Sequence, residues 1–170
     1  MITGQLSGNS ISSNSLEAFS LYDKSVFGEK KRNKIEYSLV EALFLISEKK
    51  MKVLSNNKPL SEDSLLKRLR KIDRKIETKF VVFSDLRKKG YIVKTALKFG
   101  AEFRVYDKGV KPGQDHALWI LYTTKESDIL SWHEFAAKNR VAHSTNKKLL
   151  IAIVDEELDV SYYEISWTRP

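Results

Sequence analysis

Of the three histidines in the sequence, His116 is the best placed for proton chemistry. It follows the turn-rich segment Val110-Lys-Pro-Gly-Gln-Asp115 and precedes the apolar stretch Ala117 to Leu121, which puts it on a loop beside a carboxylate. An imidazole in that setting can hold a proton near neutrality, as a general acid must. An exposed loop histidine with no role has the same signature. His133, within an amphipathic segment, and His143, within Arg140-Val-Ala-His-Ser, read as structural.

Tyr106 ends the segment Ala101-Glu-Phe-Arg-Val-Tyr106, where a period of two puts Phe103 and Val105 on one face and Glu102, Arg104 and Tyr106 on the other. The phenol therefore points with the charged residues, just before the turn Asp107-Lys108-Gly109, where it could project into a groove or simply pack at a strand edge. Lys147 and Lys148 precede the apolar run Leu149 to Val154. Adjacent strand residues face opposite sides, so only one of the two lysines can share a surface with a given groove. The acidic group Asp155, Glu156, Glu157 and Asp159 resembles a nuclease metal site in composition, but carboxylates directly after a buried strand read more simply as a solvated or partner-binding loop. There is no histidine pair at ligand spacing, no His-Glu-x-x-His, no glycine-rich phosphate loop and no Gly-x-Ser-x-Gly, so neither metal nor cofactor is expected.

The elements that must position these residues fall into two groups. Residues 1 to 37, rich in Ser, Asn and Gly, show short alternating stretches such as Ala18, Ser20 and Tyr22 and suggest a small antiparallel sheet, with Gly-Glu-Lys-Lys-Arg-Asn-Lys at 28 to 34 as an exposed loop. Ser38 and Glu41 form a capping box ahead of a buried helix ending near Lys49-Lys50. After the Asn-Asn-Lys-Pro turn at 56 to 59, Ser61 or Ser64 can cap a second helix through Leu65, Leu69, Ile72 and Ile76, and Lys67 to Lys79 carries seven Lys or Arg. Phe80 to Lys89 reads as a helix closed by Gly90, Tyr91 to Leu97 and Ala101 to Tyr106 as a hairpin, Trp119 to Tyr122 as a strand and Ile129 to Ala137 as a helix. Leu149 to Val154 reads as a doubly covered strand, and Val160 to Trp167 alternates and closes the sheet. The fold class is thus α+β, with an N-terminal α/β domain over 1–75 and a C-terminal, restriction-endonuclease-like mixed sheet with helices over 76–170.

Composition narrows the partners. Thirty Lys+Arg against 22 Asp+Glu give a net charge of +8, a balance that favours polyanions through counterion release, nucleic acid first among them. The absence of cysteine removes disulfides, thiolate metal sites and cysteine nucleophiles. No apolar run approaches the roughly 20 residues of a membrane helix. The expectation is a soluble, cytoplasmic protein without membrane association.

The stretches Gly90-Tyr-Ile-Val-Lys-Thr-Ala-Leu-Lys-Phe-Gly-Ala-Glu-Phe-Arg-Val-Tyr106 and Arg140-Val-Ala-His-Ser-Thr-Asn-Lys-Lys-Leu-Leu-Ile-Ala-Ile-Val-Asp155 closely resemble the archaeal tRNA-splicing endonucleases. The ten-residue step from Tyr106 to His116 and the 31-residue step from His116 to Lys147 fit the pattern of that family. The resemblance is looser in the N-terminal half, where it rests on Ser38-Leu-Val-Glu-Ala-Leu-Phe-Leu and Lys58-Pro-Leu-Ser, and Gly28 to Lys34 departs from the family.

What the resemblance implies is metal-free cleavage of precursor tRNA at both intron boundaries in a bulge-helix-bulge fold, leaving 2′,3′-cyclic phosphate and 5′-hydroxyl ends. Tyr106 would be the base, His116 the acid and Lys147 the charge stabiliser, with cationic neighbours such as Arg104, Lys108 or Lys147 favouring an ionised phenol. Arg140 matches a family arginine that stacks on a flipped-out base, and a surface ion pair is its plainer reading. The loop Asp155, Glu156, Glu157 and Asp159 would dock on another subunit and Val160 to Trp167 would add an interface strand, in a homotetramer or a heterotetramer with a second subunit. Two alternatives stand beside this reading. One is a non-catalytic RNA-binding or scaffold subunit of the same complex, and the other is a metal-dependent nuclease with a restriction-endonuclease-like sheet.

Overall fold

The computed structural model describes residues 1–8 and 10–170. The fold is α+β, built as two compact units over residues 1–83 and 84–170. In the first unit the elements run β1 (Ile2–Ser7), β2 (Ser10–Ser13), α1 (Leu16–Ser25), β3 (Glu29–Lys31), β4 (Lys34–Tyr37), α2 (Leu39–Ser47), β5 (Met51–Ser55), β6 (Lys58–Pro59) and α3 (Glu62–Ile72). Helix α4 (Ile76–Lys88) starts close to the boundary expected near residue 75, and the units divide two turns further on, inside it. Its opening turns belong to the first unit because Ile76, Val82 and Phe83 are buried there and Phe83 meets Phe44 of α2 edge-on at 5.7 Å.

The first sheet has strand order β3-β4-β2-β1-β5-β6, antiparallel except where β1 lies parallel to β5. Two readings of its N-terminal part need correction. Ala18, Ser20 and Tyr22 lie in helix α1, not in a strand, since the Ser15 side chain accepts the Ala18 N–H and fixes a helix start. The stretch 28 to 34 is not a loop but leads into the β3–β4 hairpin. The capping box at Ser38 and Glu41 forms as expected, and Glu41 does more than cap. Its buried carboxylate accepts from Ser38 N, Ser38 Oγ and, at 2.9 Å, from Gly28 N. At Gly28 φ is 78°, and a Cβ would stand 2.4 Å from Ile35 Cγ2, so only glycine fits this approach. The helix expected to run on through Ile76 breaks at Asp73, whose backbone is extended and whose carboxylate turns to accept Lys75 N and to pair with Lys79 at 2.6 Å.

The second unit continues with β7 (Ile92–Ala96), a single 3₁₀ turn (Leu97–Phe99), β8 (Ala101–Tyr106), β9 (Trp119–Lys125), α5 (Trp132–Ser144), β10 (Lys148–Val154) and β11 (Val160–Ile165). Its sheet order is β11-β10-β9-β8-β7, with β9 parallel to β10 and the other pairs antiparallel. The parallel pair requires a crossover, and α5 supplies it. That helix begins later than expected, because the Ser131 and Glu134 capping box sets its start and leaves Ile129 96% exposed. It also runs longer, so Arg140 and His143 are helical. Ala142 and Phe135 of α5 pack on Ile120, Tyr122, Leu149 and Ile151. Leu150, Ala152 and Val154 of β10 are buried as well, as a doubly covered strand demands. Edge strand β11 is tied to α4 by Tyr162, whose hydroxyl donates to Asp85 at 2.7 Å. Among the described residues no helix is long and apolar enough to cross a membrane.

Two phenols, Tyr37 buried and Tyr162 half-buried, make the fold sensitive to alkali. Burial, then the nearby Glu41 charge, pushes Tyr37 well above the usual tyrosine range; burial, then the bond and charge of Asp85, does the same to Tyr162. A group whose folded pKa is raised contributes its stability in full below its unfolded value, about 10 for tyrosine, and loses it as pH rises beyond. Thermal melting should therefore fall above about pH 10. Tyr162→Phe should flatten that fall while lowering stability near neutrality, and an unchanged alkaline limb would contradict the assignment. Separately, Glu41→Ala should cost about 2 to 4 kcal/mol, since it removes a cap and strands a buried Gly28 N–H; denaturant unfolding measures it.

Candidate active site

Strand register decides which side chains meet at the end of the second sheet. Arg104 lies opposite Ile120 on β9, and Ile120 opposite Leu149 on β10. Counting by twos, Arg104 and Tyr106, Leu118 and Ile120, and Lys147 and Leu149 all belong to one face. The next row, Val105, Trp119 and Lys148, belongs to the other. There Lys148 pairs with Glu164 at 2.8 Å, and Glu164 also accepts the Trp119 indole N–H, contacts that hold its carboxyl below the usual range. Of the two adjacent lysines, then, Lys148 braces β10 against β11.

Lys147 is placed by the end of α5. Thr145 caps the helix, Asn146 takes a positive φ of 58°, and the chain reverses into β10 with Lys147 N donating to Ala142 O. The half-buried Lys147 ammonium donates to Thr145 O at 2.8 Å and stands 5.7 Å from the centre of the Phe99 ring. His116 arrives on the segment between β8 and β9, which its own turns brace. Val110 N donates to Asp107 O, Gln114 N donates to Lys111 O, and the Gln114 side chain accepts Lys111 N. Gly109 and Gly113 take the positive φ values these reversals need, and Asp115 accepts His116 N at 2.6 Å. Leu118 N then donates to Val105 O, returning the chain to the sheet. His116 itself is exposed.

These placements bring Tyr106, His116 and Lys147 to a single hollow of about 360 Å³, lined also by Phe99, Arg104 and Asp115. Tyr106 is only 4% exposed, so the phenol is presented to the hollow and not to open solvent. A second hollow of about 490 Å³ shares Asp115, His116, Ala117 and Lys147 with the first and adds His143 and Asn146. His116 and Lys147 thus stand on the ridge between two adjoining spaces, an arrangement suited to a linear chain passing over a proton donor and a cation.

Other predicted residues lie apart from the hollows. Arg140 is exposed on α5 and makes no ion pair among the described residues. Asp155, Glu156, Glu157 and Asp159 form the turn of the β10–β11 hairpin, closed by Asp155 N to Asp159 O and by Asp159 N to the Asp155 carboxylate. The exposed Leu158 sits at its tip with a φ of 67°. Among the described residues no three His, Asp or Glu side chains gather as a metal ligand set would. Two residues gain weight over their sequence reading. His143, read as structural, lines the second hollow and meets the Trp167 ring at a tilt, 4.6 Å between centres. Arg104 lines the first, and the signal for it was its shared parity with Tyr106.

Comparison with known proteins gives the family. Residues 2–66 match the tRNA intron endonuclease N-terminal domain, and residues 76–162 match the tRNA intron endonuclease catalytic C-terminal domain. The chain is 40% identical over 165 residues to the tRNA-splicing endonuclease of Pyrococcus abyssi, covering 96% of this chain and 95% of that protein. It is 38% identical over 150 residues to that of Methanothermobacter thermautotrophicus, 88% and 87% of the two chains, and 40% identical over 141 residues to that of Nanoarchaeum equitans, 79% and 90%. With both domain matches in order and relatives aligned along most of its length, the chain belongs to the tRNA intron endonuclease family.

Proposed function

We propose that this protein cleaves precursor tRNA at both intron boundaries within a bulge-helix-bulge fold, without a metal, leaving 2′,3′-cyclic phosphate and 5′-hydroxyl ends. The observation that carries the reading is the convergence of a phenol, an imidazole and an ammonium on one hollow from three separate elements. Tyr106 accepts the proton of the substrate 2′-hydroxyl, whose oxygen attacks the adjacent phosphorus. His116 donates a proton to the departing 5′-oxygen. Lys147 offsets the charge that builds on the non-bridging oxygens. The nucleophile belongs to the RNA, so the protein supplies proton transfer, positioning and charge.

Around that centre, the exposed guanidinium of Arg140 is suited to stacking on an unpaired base. Its position supports this role, since no carboxylate engages it among the described residues. The acidic hairpin tip on a chain of net charge +8 is suited to docking on a basic surface of another subunit, and β11, with Tyr163 56% exposed, to an edge contact. We read the working enzyme as a tetramer, of four copies or of two kinds of subunit, acting in the cytoplasm.

Cleavage of a bulge-helix-bulge RNA should persist in excess EDTA and yield cyclic phosphate ends; a requirement for Mg²⁺, or 3′-hydroxyl products, would overturn the mechanism. A 2′-deoxy substitution at the cut nucleotide should abolish cutting and leave binding nearly unchanged. His116→Ala and Lys147→Ala should each slow single-turnover cleavage by on the order of 10²-fold, and His133→Ala far less. Equal effects of His116→Ala and His133→Ala would remove His116 as the acid.

Assembly is tested by Glu156→Gln, Glu157→Gln and Asp159→Asn together, with Asp155 kept because its carboxylate closes the turn. Light scattering should show the tetramer falling to dimers, with loss of cleavage. A triple variant that stays tetrameric and active would show the loop to be merely solvated.

A further inference from the structure

Arg104 lines the candidate hollow and makes no ion pair among the described residues. Its side chain is half-buried and its Nε is fully buried, yet that N–H has no hydrogen-bond partner. No described carboxylate pairs with its guanidinium. The nearest favourable contact is with the Tyr106 ring, 5.9 Å from Cζ to the ring centre. At that separation a cation–ring attraction is weaker than a hydrogen bond to a charged group, so it does not replace the bond that burial denies. Lys94, 5% exposed, lies directly opposite Arg104 on β7. With Nε buried and fixed in the wall, the terminal Nη groups are the part of the guanidinium that can meet an anion at the hollow Arg104 lines.

The geometry points to Arg104 as a phosphate-binding residue of this hollow, one that takes a non-bridging oxygen of the RNA phosphate lying between Tyr106, His116 and Lys147. The guanidinium is the right group for it. Its planar fork reaches a phosphate through two parallel N–H bonds, where a lysine offers a single point charge. Strand parity explains its place, since Arg104 precedes Tyr106 by two residues on β8 and shares its face. A cation there holds the phosphate from the β8 side while Lys147 holds it from the β10 side, leaving His116 free for proton transfer. This assignment rests on the proposed cleavage reaction.

The test uses the full chain, Arg104→Gln and Arg104→Lys, on a bulge-helix-bulge RNA with either phosphorothioate diastereomer at the cut linkage. Arg104→Gln should slow single-turnover cleavage by about 10²-fold at saturating RNA. It should also weaken binding of the uncleavable 2′-deoxy RNA by about tenfold. One sulfur diastereomer should slow the wild type far more than the other, and that preference should shrink in Arg104→Gln, which a purely structural role would not produce. Arg104→Lys should recover part of the rate; if the glutamine variant fails to fold, the lysine variant's loss of diastereomer preference decides. Cleavage within about threefold of wild type with the preference intact would overturn the role of Arg104 alone. A wild type that leaves the RNA whole would instead overturn the cleavage reading, and binding of the 2′-deoxy RNA would still report on Arg104.

Discussion

The candidate site depends on the register of three strands. Because side chains alternate, the pairing of Arg104 with Ile120 and of Ile120 with Leu149 commits Tyr106 and Lys147 to one face at the same end of the sheet. A slip of one residue between β9 and β10 would exchange Lys147 for Lys148 and turn the lysine needed at the hollow toward Glu164. Burial on both faces of β10 guards against this. Leu149 and Ile151 pack against α5 while Leu150, Ala152 and Val154 are buried on the reverse, and Glu164 engages both Lys148 and Trp119. The apolar core thus sets the position of polar groups that contribute little to it.

His116 is positioned differently, and the difference suits its proposed part. Tyr106 sits at a strand end and Lys147 follows a capped helix, so both are fixed by regular structure. The imidazole comes in on a segment held by its own turns, by Gly109 and Gly113, and by the Asp115 carboxylate on His116 N. It is exposed where Tyr106 is buried. A proton donor that must be recharged from water after each cleavage needs access to solvent, whereas a phenol acting on a buried 2′-hydroxyl gains from being shielded.

Much of this could be read in the sequence, for reasons that are local. Ser38 with Glu41 announces a helix because the capping box is complete within four residues, and the parity of Arg104 with Tyr106 follows from strand geometry alone. The turn residues around Pro112 and Gly113 mark a loop before His116. What was misread was set either by a side-chain cap that overrides the hydrophobic pattern or by partners distant in the chain. Ala18 to Tyr22 alternates like a strand, yet the Ser15 cap makes it a helix. Ile72 and Ile76 keep helical spacing across a break that the Asp73 carboxylate creates. The choice between Lys147 and Lys148 needed the register with β9 and the presence of Glu164, seventeen residues beyond Lys147. His143 gained its place only through the length of α5 and the return of Trp167. The resemblance implies the roles of the three residues, and the strand pairing gives a physical reason why Tyr106 and Lys147 share a face.

The most direct test of this account is a crystal structure of the protein bound to a bulge-helix-bulge RNA carrying a 2′-deoxy nucleotide at the cut. The account predicts the scissile phosphate in the hollow lined by Tyr106, His116 and Lys147, with the 2′ carbon facing the phenol and the 5′-oxygen facing the imidazole. A phosphate seated elsewhere, or one that meets His143 in place of His116, would contradict it.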